Sequence, residues 1–351
     1  MAKVKNILNH LRKDIVGGRF SCNGRLPTRE EFSLEYEVSK ATVQKVMATL
    51  EDERFIVSRG SQGTFVNPNS PNHTDIAILI PAKEEQLTSN DNLWELLRKE
   101  QTQLELYIGK KLRYYYVDRY QHNIDDFRKV AKDASCSRLH GVIFPMMPEP
   151  WMLEPFQNNN ISIVAFTDEE VPSASTVWVD YSDMFRQMLT CCRQKGCRFP
   201  AHLSNIQLPY HHILDYIKIA KKLNFTIPPH MIQGVPTNYS QHWLRHTLHT
   251  FLDCKEPMDA LIINDEAFVE PVFALLLDMG LTPGKDIQLF SQRTFAGSIS
   301  NLLPVEYFGF DLYEIIASCK RALDRLLIGE HPTRNFELLK ASTDIQKESL
   351  T

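Results

Sequence analysis

Two capped apolar stripes with a tight break between them constrain residues 28–50 more than any other pattern constrains the rest of the chain. Thr28-Arg29-Glu30-Glu31 is a capping box, in which Thr28 caps a first turn and Glu31 reaches back to it. The helix it opens is predicted to bury Phe32 and Tyr36. After a short break at Glu37-Val38, Ser39 caps a second helix. In that helix Val43, Val46, Met47 and Leu50 fall at i, i+3, i+4 and i+7, one stripe. Its other face carries Lys40, Thr42, Gln44 and Lys45. Cations suit phosphates, and amide or hydroxyl groups suit base edges. Taken alone this is also any amphipathic helix with a solvated face. Two short helices so tightly linked read as a helix-turn-helix.

The flanking residues complete a module. Val4, Ile7, Leu8, Leu11 and Ile15 form a further helical stripe that stops at Gly17-Gly18. Gly24-Arg25-Leu26-Pro27 is a turn. Phe55 to Arg59 and Thr64 to Val66 are predicted strands around Gly60-Ser61-Gln62-Gly63, whose glycines permit a hairpin. Three helices and a hairpin make a winged helix. Residues 1–66 hold 11 Lys and Arg against 8 Asp and Glu, whereas the remainder holds 28 against 35. A slightly basic head on an acidic body suits a small DNA-contacting module joined to a larger regulatory or catalytic one.

At 351 residues the chain exceeds one ordinary core. Its division is expected at a head, 1–67, a polar, proline-bearing linker, 68–74, and a body, 75–345. In the body, Ile76 to Pro81 reads as a buried strand, Leu93 to Leu104 as a helix and Leu112 to Val117 as a strand. Phe127 to Ala134 is helical, and Gly141 to Pro145 and Ile161 to Phe166 are strands. The rhythm restarts after Val177-Trp178-Val179-Asp180, with helices at Tyr181 to Gln194, His212 to Leu223, Trp243 to Phe251 and Ala267 to Met279. Strands are expected at Phe199 to Leu203, Asp259 to Asp265 and Ile287 to Phe290. Such alternation means βαβ units and parallel sheets, and two such halves fit an α/β body of two subdomains with a cleft between them. The seven cysteines form no CxxC pair or Cys/His ligand set and read as free thiols of a reducing cytosol. No metal and no cofactor is expected. Without a signal-peptide core or an apolar run of membrane-spanning length, a cytoplasmic protein is expected.

The order Leu26-Pro27-Thr28-Arg29-Glu30-Glu31-Phe32, Val38-Ser39-Lys40-Ala41-Thr42-Val43, Leu50, Phe55-Ile56 and Gly63-Thr64-Phe65-Val66 resembles the DNA-binding domain of the GntR family of bacterial transcription regulators. The resemblance implies that the Ser39 helix enters the major groove through Ser39, Lys40, Thr42, Gln44 and Lys45. It implies that a wing carrying Arg59, Gly60, Gln62 and Gly63 reaches the adjoining minor groove, and that Thr28 and Arg29 meet the backbone. Some positions depart from the family pattern. Glu30 stands where an arginine is usual, Lys40 and Gln44 replace recognition-helix arginines, and Arg54 replaces a glycine before the wing. Lys40 keeps a charge but loses the bidentate fork. Gln44 can pair an adenine edge or simply face solvent.

The body resembles the effector domain of lactose-repressor-type regulators, itself like periplasmic sugar-binding proteins. The carrying residues are His140-Gly141-Val142-Ile143-Phe144, Ile161-Ser162-Ile163-Val164, Val179-Asp180-Tyr181, Gly196 to Ala201, Pro257 to Ile262, Asn264-Asp265 and Gly280 to Ile287. The resemblance implies crossings between subdomains near Asp180, near Phe290 to Arg293 and near Pro304 to Phe308. It places effector candidates at Pro81, Lys83, Pro145, Met146, Asp265 and Gln292; ligands at the carboxyl ends of parallel strands are a general rule that agrees. Asp265 can accept two hydroxyls or cap the helix that follows. His212 stands where the family often has an effector-holding arginine, so an anion clamped that way is disfavoured and a sugar is the default ligand. Trp178 and Trp243 can stack on a sugar or sit in the core. The expected activity is operator binding by a homodimer, repressing in the usual outcome, controlled by a small molecule. The rival is a sugar-processing enzyme or sensor with a DNA-binding head. No GxSxG elbow, phosphate loop or HExxH helix supports it, and the chain looks too short for an aminotransferase body.

Overall fold

The computed structural model describes residues 2–16, 19–21, 23–68, 70, 75–80, 92–117, 124–135, 139–159, 161–206, 208–236, 241–296, 303–330 and 336–343. The head comprises α1 (Ala2–Val16), α2 (Arg29–Glu35), α3 (Lys40–Asp52), β1 (Ile56–Ser58) and β2 (Thr64–Val66). Thr28 Oγ accepts from the Glu31 N–H at 3.3 Å while the Glu31 carboxylate accepts from the Thr28 N–H at 2.6 Å, a complete capping box. Ser39 Oγ accepts from the Thr42 N–H at 3.2 Å. Val43, Val46, Met47 and Leu50 turn inward and meet Ile7, Leu11 and Ile15 of α1, Phe32 of α2, and Phe55, Ile56 and Val66. Arg12 on α1 donates to both carboxylate oxygens of Glu53 at the end of α3, tying the two helices by a fork. Leu327, from the last helix of the body, joins this cluster.

The body contains two six-stranded sheets. One runs in the order β13-β7-β6-β5-β3-β4, from β3 (Asp75–Ile80), β4 (Leu112–Tyr116), β5 (Leu139–Phe144), β6 (Ile163–Phe166), β7 (Ser175–Val179) and β13 (Phe336–Leu339). The other runs β14-β12-β11-β10-β8-β9, from β8 (Pro200–Asn205), β9 (Ile232–Val235), β10 (Ala260–Ile263), β11 (Gln288–Phe295), β12 (Val305–Asp311) and β14 (Ser342–Thr343). The neighbours β4-β3-β5-β6-β7 and β9-β8-β10-β11-β12 are parallel, while β14 is antiparallel to β12. Burial on both faces explains the unbroken apolar runs Ile76–Ile80 and Ala260–Ile263. Strand order reverses beside β3 in one sheet and beside β8 in the other. Gly309 lets β12 close on β11, since a Cβ there would come within 1.7 Å of the Arg293 carbonyl oxygen.

The chain forms two compact units. The first holds the head, β3 to β6, β7 as far as Trp178 and the part of α12 (Leu312–Leu327) from Ile316 onward; the second holds β8 to β12 with their helices. In the first unit α12 lies against β5. Gly141 makes room there, because a Cβ would sit 2.4 Å from a Leu323 methyl. The buried His140 shares a 2.9 Å hydrogen bond with Asp324, which Lys320 also contacts at 2.5 Å. Burial pushes the Asp324 carboxyl up, but the bonds from His140 and Lys320 outweigh it and leave the pKa below its ordinary value.

Three expectations are corrected. The sheets change partner after β7, between β12 and β13, and between β13 and β14, not at Phe290 to Arg293 or Pro304 to Phe308; β11 and β12 are neighbours in one sheet. The helix expected from Leu93 to Leu104 is two, α4 (Asn92–Lys99) and α5 (Gln101–Ile108), because Glu100 leaves helical geometry at ψ 6°. A helix at Pro150–Gln157 (α7), together with β9, β12, β13, β14 and α12, went unread. Among the described residues no helix is long and apolar enough to cross a membrane.

Two features have measurable consequences for stability. Arg54 adopts φ 63°, the left-handed region where a Cβ is penalised. Arg54→Gly is expected to stabilise the head by about 0.5–1 kcal/mol, read by urea denaturation. In the second unit His202 on β8 is fully buried against Tyr216 (4.6 Å between ring centroids) and Phe185 (5.7 Å). Burial, with nothing to offset a charge, pushes its pKa from 6.5 down to about 3. Between those values the unfolded chain binds a proton that the fold refuses, so stability falls as pH drops below 6.5. We expect a loss of about 3 kcal/mol from this group between neutrality and about pH 4, absent in His202→Leu, measured by denaturation across that range.

Candidate nucleic-acid interface and effector site

Three segments of the head enclose a groove of about 540 Å³: the turn before α2, the N-terminal half of α3 and the wing. Thr28, Arg29, Lys40, Gln44, Gly60 and Gly63 line it, with Arg25 and Glu30. Burial of the opposite stripe leaves α3 one outward face, so Ser39, Lys40, Gln44 and Lys45 are exposed, while Thr42 is half-buried with its hydroxyl 3.0 Å from that of Ser39. In the wing, β1 and β2 pair from Ile56↔Val66 to Ser58↔Thr64. Gly60 at φ 57° and Gly63 at φ 108° make the reversal, and the exposed Gln62 lies between them. Arg59 lies along the wing, its guanidinium 4.7 Å from the Phe65 ring and bonded to Asn23.

Two charged groove residues were absent from the expected set. Arg25 reads in the sequence as part of a turn, but its backbone forms an isolated antiparallel bridge to Phe65 beside the wing. Its guanidinium then fills the space above Gly63, where a Cβ would come 2.9 Å from Arg25 Nε. Glu30 enters from α2 and forms a 2.8 Å ion pair with Lys40. The charge of Glu30 and its place two residues after the cap were visible; its partner across the turn was not.

The expected effector residues are distributed otherwise. Pro81 and Lys83 lie outside the described residues. Met146, after β5, is buried in the core of the first unit, and Pro145 precedes it. In the second unit Asp265 follows β10 and caps the next turn, its Oδ1 accepting from the Ala267 N–H at 3.0 Å. Its other oxygen lies 3.5 Å from Asn205 Nδ2 at the end of β8, beside the strand-order reversal. Burial raises the Asp265 pKa against those two bonds. Gln292 is half-buried on β11. Next to it Arg293 lies 4.0 Å over the Tyr307 ring and 3.4 Å from Glu266. His212 is buried on α9 (Tyr210–Lys222), 4.6 Å from the Tyr181 ring. Trp178 packs on Phe166 at 4.7 Å, and Trp243 is exposed. Asn205, Glu266 and Arg293 were not read from the sequence as members of this set. Asn205 ends β8 and Glu266 follows β10, a position that was their one signal, whereas Arg293 lies inside β11.

A winged helix with a polar outward face thus precedes two parallel-sheet lobes. Comparison with known proteins specifies each part. Residues 3–66 match the model of the bacterial regulatory proteins of the gntR family, so the chain carries a gntR-type helix-turn-helix at its N-terminus. An uncharacterised HTH-type transcriptional regulator of Bacillus subtilis (strain 168), YurK, is 38% identical over 53 residues, which are 15% of this chain and 22% of that protein. The chain thus spans about a fifth of the length of that curated relative. The body has the fold of LacI-type regulators. A regulatory protein of the LacI family from Chloroflexus aggregans superposes with a TM-score of 0.61 at 14% identity, over 76% of this chain and 95% of that one. A LacI family transcriptional regulator from Enterococcus faecium, solved with bound ribose, does so with 0.57 at 12%, over 77% and 96%.

Two substitutions separate backbone contact from base reading on α3. Lys45→Ala is expected to weaken binding to all duplexes and lower the salt slope by about 1, whereas Gln44→Ala changes preference at one base pair by about 1–3 kcal/mol. Titrations of duplex DNA over a salt series check both; unchanged binding in both variants removes α3 from the interface.

Proposed function

We propose that this protein is a transcriptional repressor whose affinity for a roughly palindromic operator is set by a small molecule, of the sugar class, bound in the body. The observation that carries the reading is one chain in which a gntR-type head with an outward-facing polar helix precedes a body of LacI-type fold. In this reading residues 1–67 bind DNA, 68–74 link and 75–345 bind effector and dimerise. Thr28, Arg29, Ser39, Lys40, Thr42, Gln44 and Lys45, with Arg59, Gly60, Gln62 and Gly63 of the wing, contact the duplex. Two copies related by a two-fold axis present two such helices to two half-sites. The protein works in the cytoplasm, on double-stranded DNA.

For the effector, Asp265, Gln292, Met146 and His212, with Pro81 and Lys83, are the candidate contacts. Ribose in the E. faecium regulator supports a sugar. The strand ends of the second unit offer amide and carboxyl groups of the kind hydroxyls pair with, at Asn205 and Asp265. The body acts as a switch rather than a catalyst. A ligand shifts DNA affinity only by the difference between its own affinities for the two states.

A thermal-shift screen of the full chain against neutral pentoses and hexoses tests the reading. A binder present at a hundred times its Kd stabilises the protein by about 2.7 kcal/mol, and the same sugar is expected to change the affinity for duplex DNA. Chemical conversion of the sugar by the protein would favour the enzyme alternative. A sugar that binds without altering DNA affinity would sink the switch.

A further inference from the structure

The groove of the head contains a group that phosphate binding does not call for. Glu30 is exposed and stands among Arg25, Arg29 and Lys40. Its carboxylate accepts from Lys40 Nζ at 2.8 Å, an ion pair that reaches from α2 to α3. The hydrogen bond from Lys40 is the main cause that holds the Glu30 carboxyl below its usual pKa, so it is ionised at neutral pH. With Glu30 beside it, Lys40 adds no net charge for a phosphate to meet. A carboxylate in this position is also repelled by the DNA backbone unless a base offers it a donor.

In the major groove only exocyclic amino groups donate. Adenine N6 is flanked by two acceptors, N7 of its own ring and O4 of the paired thymine, and both repel a carboxylate. Cytosine N4 has one acceptor beside it, guanine O6, and a C–H on its other side. That O6 is where an ammonium binds well. A carboxylate and an ammonium held 2.8 Å apart offer acceptor beside donor; the C·G edge offers donor beside acceptor at about 2.9 Å, an ordinary hydrogen-bond length. The two edges are complementary in order and in spacing.

We propose that Glu30 and Lys40 act as one unit that reads a C·G base pair, Glu30 accepting from cytosine N4 and Lys40 donating to guanine O6. This rests on the head binding duplex DNA, as given above. Glu30 is then a specificity-determining residue, and Lys40 a base-reading rather than a phosphate-binding one.

Selection by the full-length protein from a duplex pool with about 20 random base pairs, two helical turns, tests it. The selected duplex and its single-pair variants are then titrated with the wild type and with Glu30→Gln. Both side chains are exposed, and equal thermal melting of the two proteins checks the fold. We expect one invariant C·G per half-site. Its replacement by T·A weakens wild-type binding roughly tenfold or more and Glu30→Gln binding roughly twofold or less, with other positions unchanged. Glu30→Gln retaining every wild-type penalty overturns the proposal. So does Glu30→Gln tightening all duplexes equally with a steeper salt dependence, which would make Glu30 an electrostatic brake. An A·T pair at the Glu30-dependent position overturns it as well. Retention of no duplex by the wild type is a different result, since it removes the duplex-binding reading and the proposal together.

Discussion

Burial of one stripe on α3 is the constraint from which the head takes its form. Val43, Val46, Met47 and Leu50 are each at most 4% exposed. Their transfer from water is worth roughly 6–12 kcal/mol before ordering costs. Turning the helix by one residue, about 100°, would carry that stripe out of the core and polar groups into it. The azimuth is therefore set by packing on α1 and Phe32, and Lys40, Gln44 and Lys45 are outward for the same reason that Val43 is inward. The caps at Thr28 and Ser39 fix where each helix starts, which sets the side chains that meet across the turn.

A related logic orders the body. Parallel strands buried on both faces leave few places for polar groups except strand ends, and Asn205 and Asp265 stand there. Where polar groups do enter the interior they either pair or stay neutral. His140 meets Asp324 and pins α12 to β5, while His202 is held uncharged among aromatic rings. Because α12 is pinned at Asp324, its end at Leu327 reaches the core of the head, so the head's apolar cluster is completed by a residue from far along the chain.

Legibility followed the range of the interaction. The capping box, the α3 stripe and the hairpin glycines are set by neighbours a few residues apart, and each was read in the sequence. The alternation of apolar strands and helices revealed two α/β halves. The stretch Pro304 to Phe308 was read only as a crossing, whereas Val305–Asp311 is a strand placed by its pairing with β11. Glu100 interrupts an apolar pattern that continues through it. Arg25 sits in the groove through a bridge to Phe65, forty residues on, that no local spacing encodes. Arg293 meets Tyr307 of β12 and Glu266 of the turn after β10, contacts that local spacing does not encode either.

By itself the sequence determined the class of each part: a winged helix-turn-helix in front, then two parallel-sheet lobes. It also determined which α3 residues face out, because helical and strand periodicities are properties of the backbone alone. Only the tertiary structure decided that Glu30 faces Lys40, that Arg25 closes over Gly63, that Asp265 spends one oxygen on a cap, and that α12 supplies a side chain to the head. Those outcomes depend on which surfaces meet when separate elements dock. Docking is governed by volume and by the pairing of buried polar groups among residues tens to hundreds of positions apart.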